Sequence, residues 1–130
     1  MMLERLTYAS RALIAPLSPE FLAIIRSSDR NNRRLGLTGA LYFDASLFFQ
    51  VLEGPRAALD AIFERIRADE RHCDVRLLSR EGAPTRRFES WTLKLVEGRG
   101  AAGARSFGFA DMVRADAAEL DRRVDILSRA

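Results

Sequence analysis

The stretch from Asn31 to Pro55 constrains the fold most, because it holds two apolar runs of strand length. Thr38 to Phe43 is the first run and Leu47 to Glu53 is the second, and the three residues 44–46 between them have the length of a hairpin loop. One uncharged polar residue, Gln50, stands among the apolar residues of the second run. A glutamine in such a strand faces the core or a ligand, and a buried amide requires hydrogen-bond partners. The hairpin therefore predicts both a sheet and a site within it.

The residues before this hairpin predict one strand and one helix. Leu3 to Ser10 alternates between apolar and polar residues, which is typical of a half-buried strand. Ser18-Pro19-Glu20 then combines an N-cap, a proline at the first helical position and an acid in the first turn. We expect this helix to end at Asn31-Asn32, because asparagine tolerates helix ends. Its stripe at helical spacing consists of Phe21, Ile24, Ile25 and Ser28.

The residues after the hairpin predict a second helix and two more strands. Gly54-Pro55 opens the helix, which ends near Asp69. Strands follow at Asp74 to Arg80 and at Phe88 to Val96, with a turn at residues 81–85 between them. The element order predicts an α+β fold of ferredoxin-like βαββαββ type, in which two helices cover one face of a five-stranded mixed sheet. The last strand would carry Trp91, Leu93 and Leu95 on one face.

The end of the chain predicts a linker and a helical tail. Gly98 to Gly108 is rich in glycine and alanine and predicts a loop, whereas Phe109 to Arg129 predicts a helix. The apolar stripe of this helix consists of Leu120, Val124 and Leu127. We therefore expect a domain at residues 1–97 and, at residues 98–130, a linker with a helical cap that covers the open face of the sheet or responds to a signal.

Composition excludes several classes of protein. The chain has 130 residues, 48% hydrophobic and 30% charged, which is typical of one soluble globular domain. A net charge of +3 is too weak to predict a nucleic-acid partner. No apolar run approaches the ~20 residues of a membrane helix, and the N-terminus lacks the apolar core of an export signal. With one cysteine, Cys73, no internal disulfide can form, so we expect a cytoplasmic protein.

Three possible chemistries have weak support. Gly98, Gly100 and Gly103 match a dinucleotide-binding pattern, but no further strand follows to complete the βαβ unit. His72-Cys73 has no spaced partners, which predicts a surface turn and no metal site. An acylphosphatase-like enzyme would place a glycine-rich loop after the first strand, where this chain has residues 10–13, SRAL. A small ferredoxin-like domain that binds a ligand or partner, or that has acylphosphatase-type activity, stays as the alternative.

Five hydrogen-bonding residues fall on neighbouring apolar surfaces of the predicted fold. They are Tyr8, Ser28, Asn32, Gln50 and Trp91. Each one has an ordinary structural explanation, but together they predict a pocket for a flat ligand with a polar edge. The two helices would supply the apolar faces, and Asn32 and Gln50 would supply amides along the edge.

These residues, in this order, resemble the BLUF domains, which are blue-light sensors that use FAD. The resemblance covers Leu3 to Val96 and rests on the segments LTYAS, NNRRLGLTGALYF, FFQVLEGP, RIRADERH and RRFESWTLKL. It implies a photoreceptor without catalytic turnover that binds FAD non-covalently. It also implies the short, single-domain type, which signals through a separate, unidentified protein. A homodimer is compatible with this type.

The resemblance also implies a role for each site residue. Asn32, with Asn31 beside it, would hold the pyrimidine edge of the flavin. Gln50 would lie between Tyr8 and the N5/O4 edge, and Ser28 would contact Gln50 in one of its states. Light would transfer an electron and a proton from Tyr8 to the flavin. Gln50 would then rotate or tautomerise and cause a small red shift.

Other residues implied by the resemblance surround this photoactive centre. Arg65 and Asp69 would lie near the phosphate side of FAD, and Ile66 would also contact the cofactor. Trp91 belongs to the photoactive set, and Leu93 stands where many members have methionine. Leucine keeps the apolar volume but lacks a polarizable sulfur, so we expect photochemistry to survive and the relay through the last strand to change.

Overall fold

The computed structural model describes residues 2–98 and 108–130. Most of the loop predicted at Gly98 to Gly108, including Gly100 and Gly103 of the glycine pattern, therefore lies outside the described residues. The elements are β1 (Leu3–Ala12), α1 (Pro19–Leu35), β2 (Thr38–Phe43), β3 (Leu47–Pro55), α2 (Arg56–Ala68), β4 (His72–Ala83), β5 (Lys94–Glu97), α3 (Phe109–Arg114) and α4 (Ala117–Arg129).

The sheet has five strands in the order β4-β1-β3-β2-β5. β1 is antiparallel to both β3 and β4, and β2 is antiparallel to β3. β5 adds at the edge in parallel with β2, which makes the sheet mixed. The predicted α+β, ferredoxin-like fold with five strands and C-terminal helices is confirmed.

The helices divide between the two faces of this sheet. On one face, Leu6 and Leu52 pack with Leu59 and Ile62 of α2, and Phe21 of α1 packs beside them on Phe43 and Phe48. On the other face, the sheet packs against the tail helices. The residues of this second core are Ala9, Ala40, Tyr42, Leu47, Phe49, Val51, Phe88, Val96, Phe109, Met112, Leu120, Val124 and Leu127. Because strand side chains alternate, consecutive residues of β3 contribute to different cores.

Helix α1 is longer than the sequence predicts. Its start is as expected, since the Ser18 side chain accepts a hydrogen bond from the Phe21 N–H and Pro19 follows the cap. Its end is at Leu35, where Gly36 adopts a left-handed conformation with φ +71°. The expected end at Asn31-Asn32 is wrong, because Asn32 finds a tertiary hydrogen-bond partner and a glycine four residues later supplies the cap.

Strand β5 is shorter than the predicted Phe88 to Val96. The backbone N–H groups of Arg87 and Phe88 donate to the Glu53 carboxylate instead of to a neighbouring strand, and the N–H of Trp91 closes a turn on the Phe88 carbonyl. Regular pairing with β2 therefore begins only at Lys94. A side-chain acceptor with no sequence signal of its own thus replaced the first six residues of the expected strand, 88–93.

Strand β4 and the tail also depart from the sequence pattern. β4 continues through Gly82 to Ala83, where a turn was expected, because β1 supplies pairing partners along its whole length. The expected single tail helix is two helices, since the Asp116 side chain accepts from the Glu119 N–H and begins α4. Among the described residues, no helix combines the length and apolar character needed to cross a bilayer.

Candidate functional site

Tyr8 and Gln50 lie directly opposite each other on β1 and β3. Both side chains are on the face covered by α1 and α2, and only 4% of Tyr8 and 5% of Gln50 is exposed. The Tyr8 hydroxyl donates a hydrogen bond of 2.5 Å to Gln50 Oε1. The strand register therefore brings the two predicted residues together as a donor–acceptor pair.

The amide nitrogen of Gln50 has no hydrogen-bond partner among the residues that the structure describes. A primary amide nitrogen carries two N–H donors, and the donors of a buried side chain usually have partners in a native structure. Gln50 lines a cavity. The free donor is therefore available to a ligand in that cavity.

This cavity, of about 60 Å³, lies between the sheet and the two helices. It adjoins a wider groove of about 330 Å³ that opens between α1 and α2. Ile24, Ser28, Ile66 and Asp69 line both. The inner cavity is completed by Tyr8, Leu41, Phe48, Gln50 and His72, and the outer groove by Ser27, Arg30, Asn31, Ile62, Arg65 and Arg71. The site therefore has a narrow, largely apolar inner end and a wider, basic outer end.

Two acidic groups of the site hold opposite protonation states at neutral pH. Burial, and then the charge of Asp69, raise the pKa of the Tyr8 phenol above its ordinary value. Hydrogen bonds from Arg71, at 2.9 and 2.7 Å, lower the pKa of Asp69, although its partial burial acts in the other direction. Tyr8 is therefore protonated and Asp69 is ionised.

The outer groove carries positive charge that the protein itself does not neutralise. Arg30 and Arg65 line the groove, and neither guanidinium group has a hydrogen bond or ion pair among residues 2–98 and 108–130. Arg71, in contrast, is paired with Asp69. The free guanidinium groups make this end of the site suited to an anionic ligand group.

His72 belongs to the site, although its sequence predicts a surface turn there. It is the first residue of β4, is 8% exposed and lines the inner cavity. Its Nε2 is 2.5 Å from the Ile66 carbonyl, which can only accept, so Nε2 carries the hydrogen. In the neutral ring Nδ1 then accepts from the Ser10 hydroxyl at 2.7 Å. The pairing of β1 with β4 buries this histidine, and its immediate sequence gives no signal of that pairing.

Asn32 and Leu93 line neither the inner cavity nor the outer groove. Asn32 is buried and its Nδ2 donates to the Thr92 carbonyl at 2.7 Å, while its Oδ1 accepts no hydrogen bond within the described parts of the chain. Leu93 packs against the cluster that contains Leu41 and Phe48, two residues that line the cavity. Leu93 therefore lies one layer behind the cavity, whereas Asn32 follows Asn31, which lines the outer groove.

Trp91 is on the outside of the molecule. Half of its side chain is exposed, and the Lys94 ammonium lies 5.8 Å from the centre of its ring. Its backbone contacts the sheet, because the Trp91 carbonyl accepts a hydrogen bond from the Gly39 N–H at 3.0 Å. The structure thus gathers the other predicted residues in or beside the cavity and leaves this side chain at the surface.

Comparison with known proteins identifies the family. Residues 3–94 match the family model described as BLUF, sensors of blue-light using FAD. The photoactivated adenylate cyclase subunit beta of Euglena gracilis is 38% identical over 92 residues, which are 70% of this chain and 11% of that protein. The blue light- and temperature-regulated antirepressor BluF of Escherichia coli (strain K12) is 35% identical over 74 residues, 57% of this chain and 18% of that protein. The chain therefore spans only a small part of these relatives.

Solved structures give matches of nearly full length. The dark-state structure of BlrB, a BLUF protein, is 34% identical with a TM-score of 0.80, and the match covers 99% of this chain and 98% of that one. The photo-activated state of BlsA is 25% identical with a TM-score of 0.82, over 99% and 96% of the two chains. Since the family model covers most of the sequence, the chain belongs to the BLUF family of blue-light sensors that use FAD, and its matched region is a sensor module rather than an enzyme.

Proposed function

We propose that this protein is a blue-light photoreceptor that binds FAD non-covalently between α1 and α2 and signals to another protein. One observation carries the proposal: Gln50 is buried, bonded to Tyr8 through its oxygen, and presents an unpartnered amide nitrogen to a cavity. Because the chain belongs to a family that uses a flavin, this free N–H donor is suited to bind the polar edge of the flavin ring.

The residues of the cavity fit the chemistry of a flavin. The ring needs two apolar faces, which Ile24 on α1 and Ile66 on α2 would supply. Its edge offers carbonyl acceptors and one N–H donor. Gln50 Nε2 would donate to that edge, with Ser28 beside it. Asn32 Oδ1, which accepts no hydrogen bond from the described residues, would accept from the N–H, with Asn31 of the outer groove next to it. Leu93 would support the ring from behind the cavity wall.

The basic outer groove supports FAD over a flavin without phosphates. Arg30 and Arg65 lack partners there, and Asp69 marks the boundary between inner cavity and outer groove. Phosphate oxygens are strong acceptors for guanidinium groups. We therefore expect FAD to bind more tightly than riboflavin, and Arg65→Gln to reduce that preference.

When bound, the flavin supplies absorption of blue light and an electron acceptor. Tyr8 is the donor, because its phenol is held protonated and its hydroxyl already points at Gln50 Oε1. It gives up one electron and its hydroxyl proton and later recovers both. Gln50 meanwhile rotates or tautomerises its amide, since a primary amide offers both a donor and an acceptor end. This chemistry would need no covalent bond between the protein and the flavin, so the resting arrangement of Tyr8 and Gln50 would return thermally.

Illumination of the purified protein tests the proposal. Protein loaded with FAD should be yellow, and blue light should shift its absorption band reversibly to the red. Tyr8→Phe and Gln50→Leu should each retain flavin and lose the shift. Tyr42→Phe is the matched control, since Tyr42 is a buried tyrosine whose side chain packs in the core on the other face. A colourless protein that does not take up FAD would refute the proposal.

The output belongs to the same proposal and rests on the relatives. Two of them are named for the activities that light regulates, a photoactivated adenylate cyclase and an antirepressor. We expect the partner to be a separate protein, which the receptor would contact either as a monomer or as a homodimer. Co-purification in the dark and in the light from the source cell would identify that partner.

A further inference from the structure

Glu53 is a buried carboxylate of β3 whose function the site above leaves unexplained. Its side chain has no exposed surface. Its Oε1 accepts from the backbone N–H groups of Arg87 and Phe88, both at 2.9 Å, and its Oε2 accepts from Arg5 Nε at 2.8 Å. Hydrogen bonds to an ionised carboxylate are about twice as strong as neutral ones. Glu53 therefore anchors this backbone firmly to β3.

The anchored backbone is the start of residues 86–93, which we call the connecting segment because it joins β4 to β5. Arg86 reinforces the same end, since its guanidinium donates to the Thr38 hydroxyl at 2.8 Å and to the backbone carbonyl of Glu53 at 3.0 Å. It also donates to the Gly36 carbonyl at 2.8 Å, so side-chain and backbone bonds to the protein body hold the first three residues of the segment in place.

The far end of the connecting segment is held by different contacts. The Trp91 carbonyl accepts from the Gly39 N–H, and the Thr92 carbonyl accepts from Asn32 Nδ2. The Thr92 hydroxyl donates to Asp29, a carboxylate that is 39% exposed. The backbone bonds of this end are neutral, and one of them comes from a residue of the proposed flavin site.

We propose that Glu53 is a positioning residue of the photoresponse. By fixing the start of the connecting segment to β3, three residues after Gln50, it restricts any light-driven displacement to the far end, Trp91 to Leu93. This inference rests on the proposed function, because it states which part of the connecting segment moves when light changes the hydrogen bonds of Gln50 and Asn32. Without this anchor, both ends of the connecting segment would move, and the displacement would no longer be restricted to the far end.

Amide hydrogen exchange in the full chain, loaded with FAD, tests the anchor in the dark. In Glu53→Gln the new NH₂ group must face either Arg5 or the two backbone N–H groups, so one donor loses its acceptor. We expect the Gly39 N–H to exchange at least about tenfold faster than in the wild type, while the β1 amides keep their rates. Glu97→Gln, the same charge change at an exposed position of β5, should match the wild type. Unchanged exchange at Gly39, or equal acceleration throughout β1, would overturn the inference.

Illumination distinguishes positioning from a purely structural role. In the wild type, light should speed exchange at Gly39 and leave the Arg87 and Phe88 amides unchanged, whereas in Glu53→Gln light should speed all three. Equal acceleration of both ends in the wild type would overturn the inference, and this measurement stands even if the variant does not fold. If the wild type shows no red shift, the proposed function fails, and the dark comparison still decides whether Glu53 anchors the segment.

Discussion

The two faces of the sheet bury one polar residue each from β3, and the two residues are satisfied to different degrees. Gln50 faces α1 and α2, where one protein hydrogen bond reaches its oxygen and its nitrogen meets a cavity. Glu53 faces the tail helices, where both of its oxygens accept hydrogen bonds from the protein. The two side chains are about equally buried. Burial alone therefore does not distinguish these two positions, whereas the hydrogen bonding of the two side chains does.

The surroundings of these two residues differ in the same way. The tail face is a continuous apolar core in which Phe49, Val51 and Leu127 have at most 1% of their surface exposed. The opposite face is interrupted by the cavity and by the groove between the helices. One face thus supplies stability, and the other gives up packing to make room for a ligand.

Replacing each polar residue by leucine should produce the largest contrast. Glu53→Leu leaves Arg5 and two backbone N–H groups without their acceptor, so it should lower the free energy of unfolding by about 3–5 kcal/mol. Gln50→Leu removes one hydrogen bond at a cavity and should cost about 1 kcal/mol. Urea denaturation of both variants measures the difference. Equal losses of unfolding free energy would show that Gln50 contributes as much hydrogen bonding to stability as Glu53 does.

Two adjacent phenylalanines of β3 test the same difference between the packed face and the cavity face with apolar side chains. Phe49→Ala opens a hole in the packed core and should cost about 3–5 kcal/mol. Phe48 already borders the cavity, so Phe48→Ala should cost less by about 1 kcal/mol or more, and it should weaken flavin binding instead. Unfolding of the flavin-free proteins and a titration with FAD check the two effects. A larger stability loss for Phe48→Ala would contradict the division of the faces.

High pH should test how well the cavity face shields Tyr8. Its folded-state pKa is raised above the ordinary value of 10.0, so the unfolded chain ionises first. Stability from this group is complete below pH 10 and should fall by about 1.4 kcal/mol per pH unit as the pH rises above it. Tyr8→Phe should lack this drop. Denaturation midpoints of both proteins between pH 8 and pH 11 measure it, and parallel curves would mean that Tyr8 is not shielded.

The smallest effect is expected at Leu93, which supports the cavity from behind. Leu93→Met keeps the volume and should change the free energy of unfolding by less than about 1.5 kcal/mol. It should alter the rate of dark recovery or the signal amplitude more than the yield of the red-shifted state, because Tyr8 and Gln50 are untouched. Leu95→Met, at a partly exposed neighbour, is the control. A wild type that fails to photoconvert until Met is introduced would contradict this expectation.

The sequence was sufficient for the fold and for the central pair of the site. Alternation along β1 and β3 determines which residues share a face, so Tyr8 and Gln50 were predictable as neighbours once the strand order was known. The hairpin and the start of the first helix were likewise predictable, because Asp44 in the turn and Ser18 at the cap act locally. These features depend on residues that are close in sequence, so the pattern of apolar and polar residues is sufficient to predict them.

Pairings between distant segments were not predictable in this way. His72 joins the cavity only because β4 pairs with β1, and residues 87–93 leave the sheet only because Glu53 captures two of their N–H groups. Trp91 is at the surface for the same reason. A strand pattern gives the same signal whether its backbone bonds go to a neighbouring strand or to a distant carboxylate.

The sequence by itself therefore determined which strands form, which of their residues share a face, and that an amide lies among apolar neighbours. Only the tertiary structure decided which buried polar group is fully paired and which is left open to a ligand. Hydrogen-bond satisfaction is the physical reason: it depends on groups brought together from as far apart as Arg5, Glu53 and Phe88, whereas periodicity depends on the residue and its immediate neighbours.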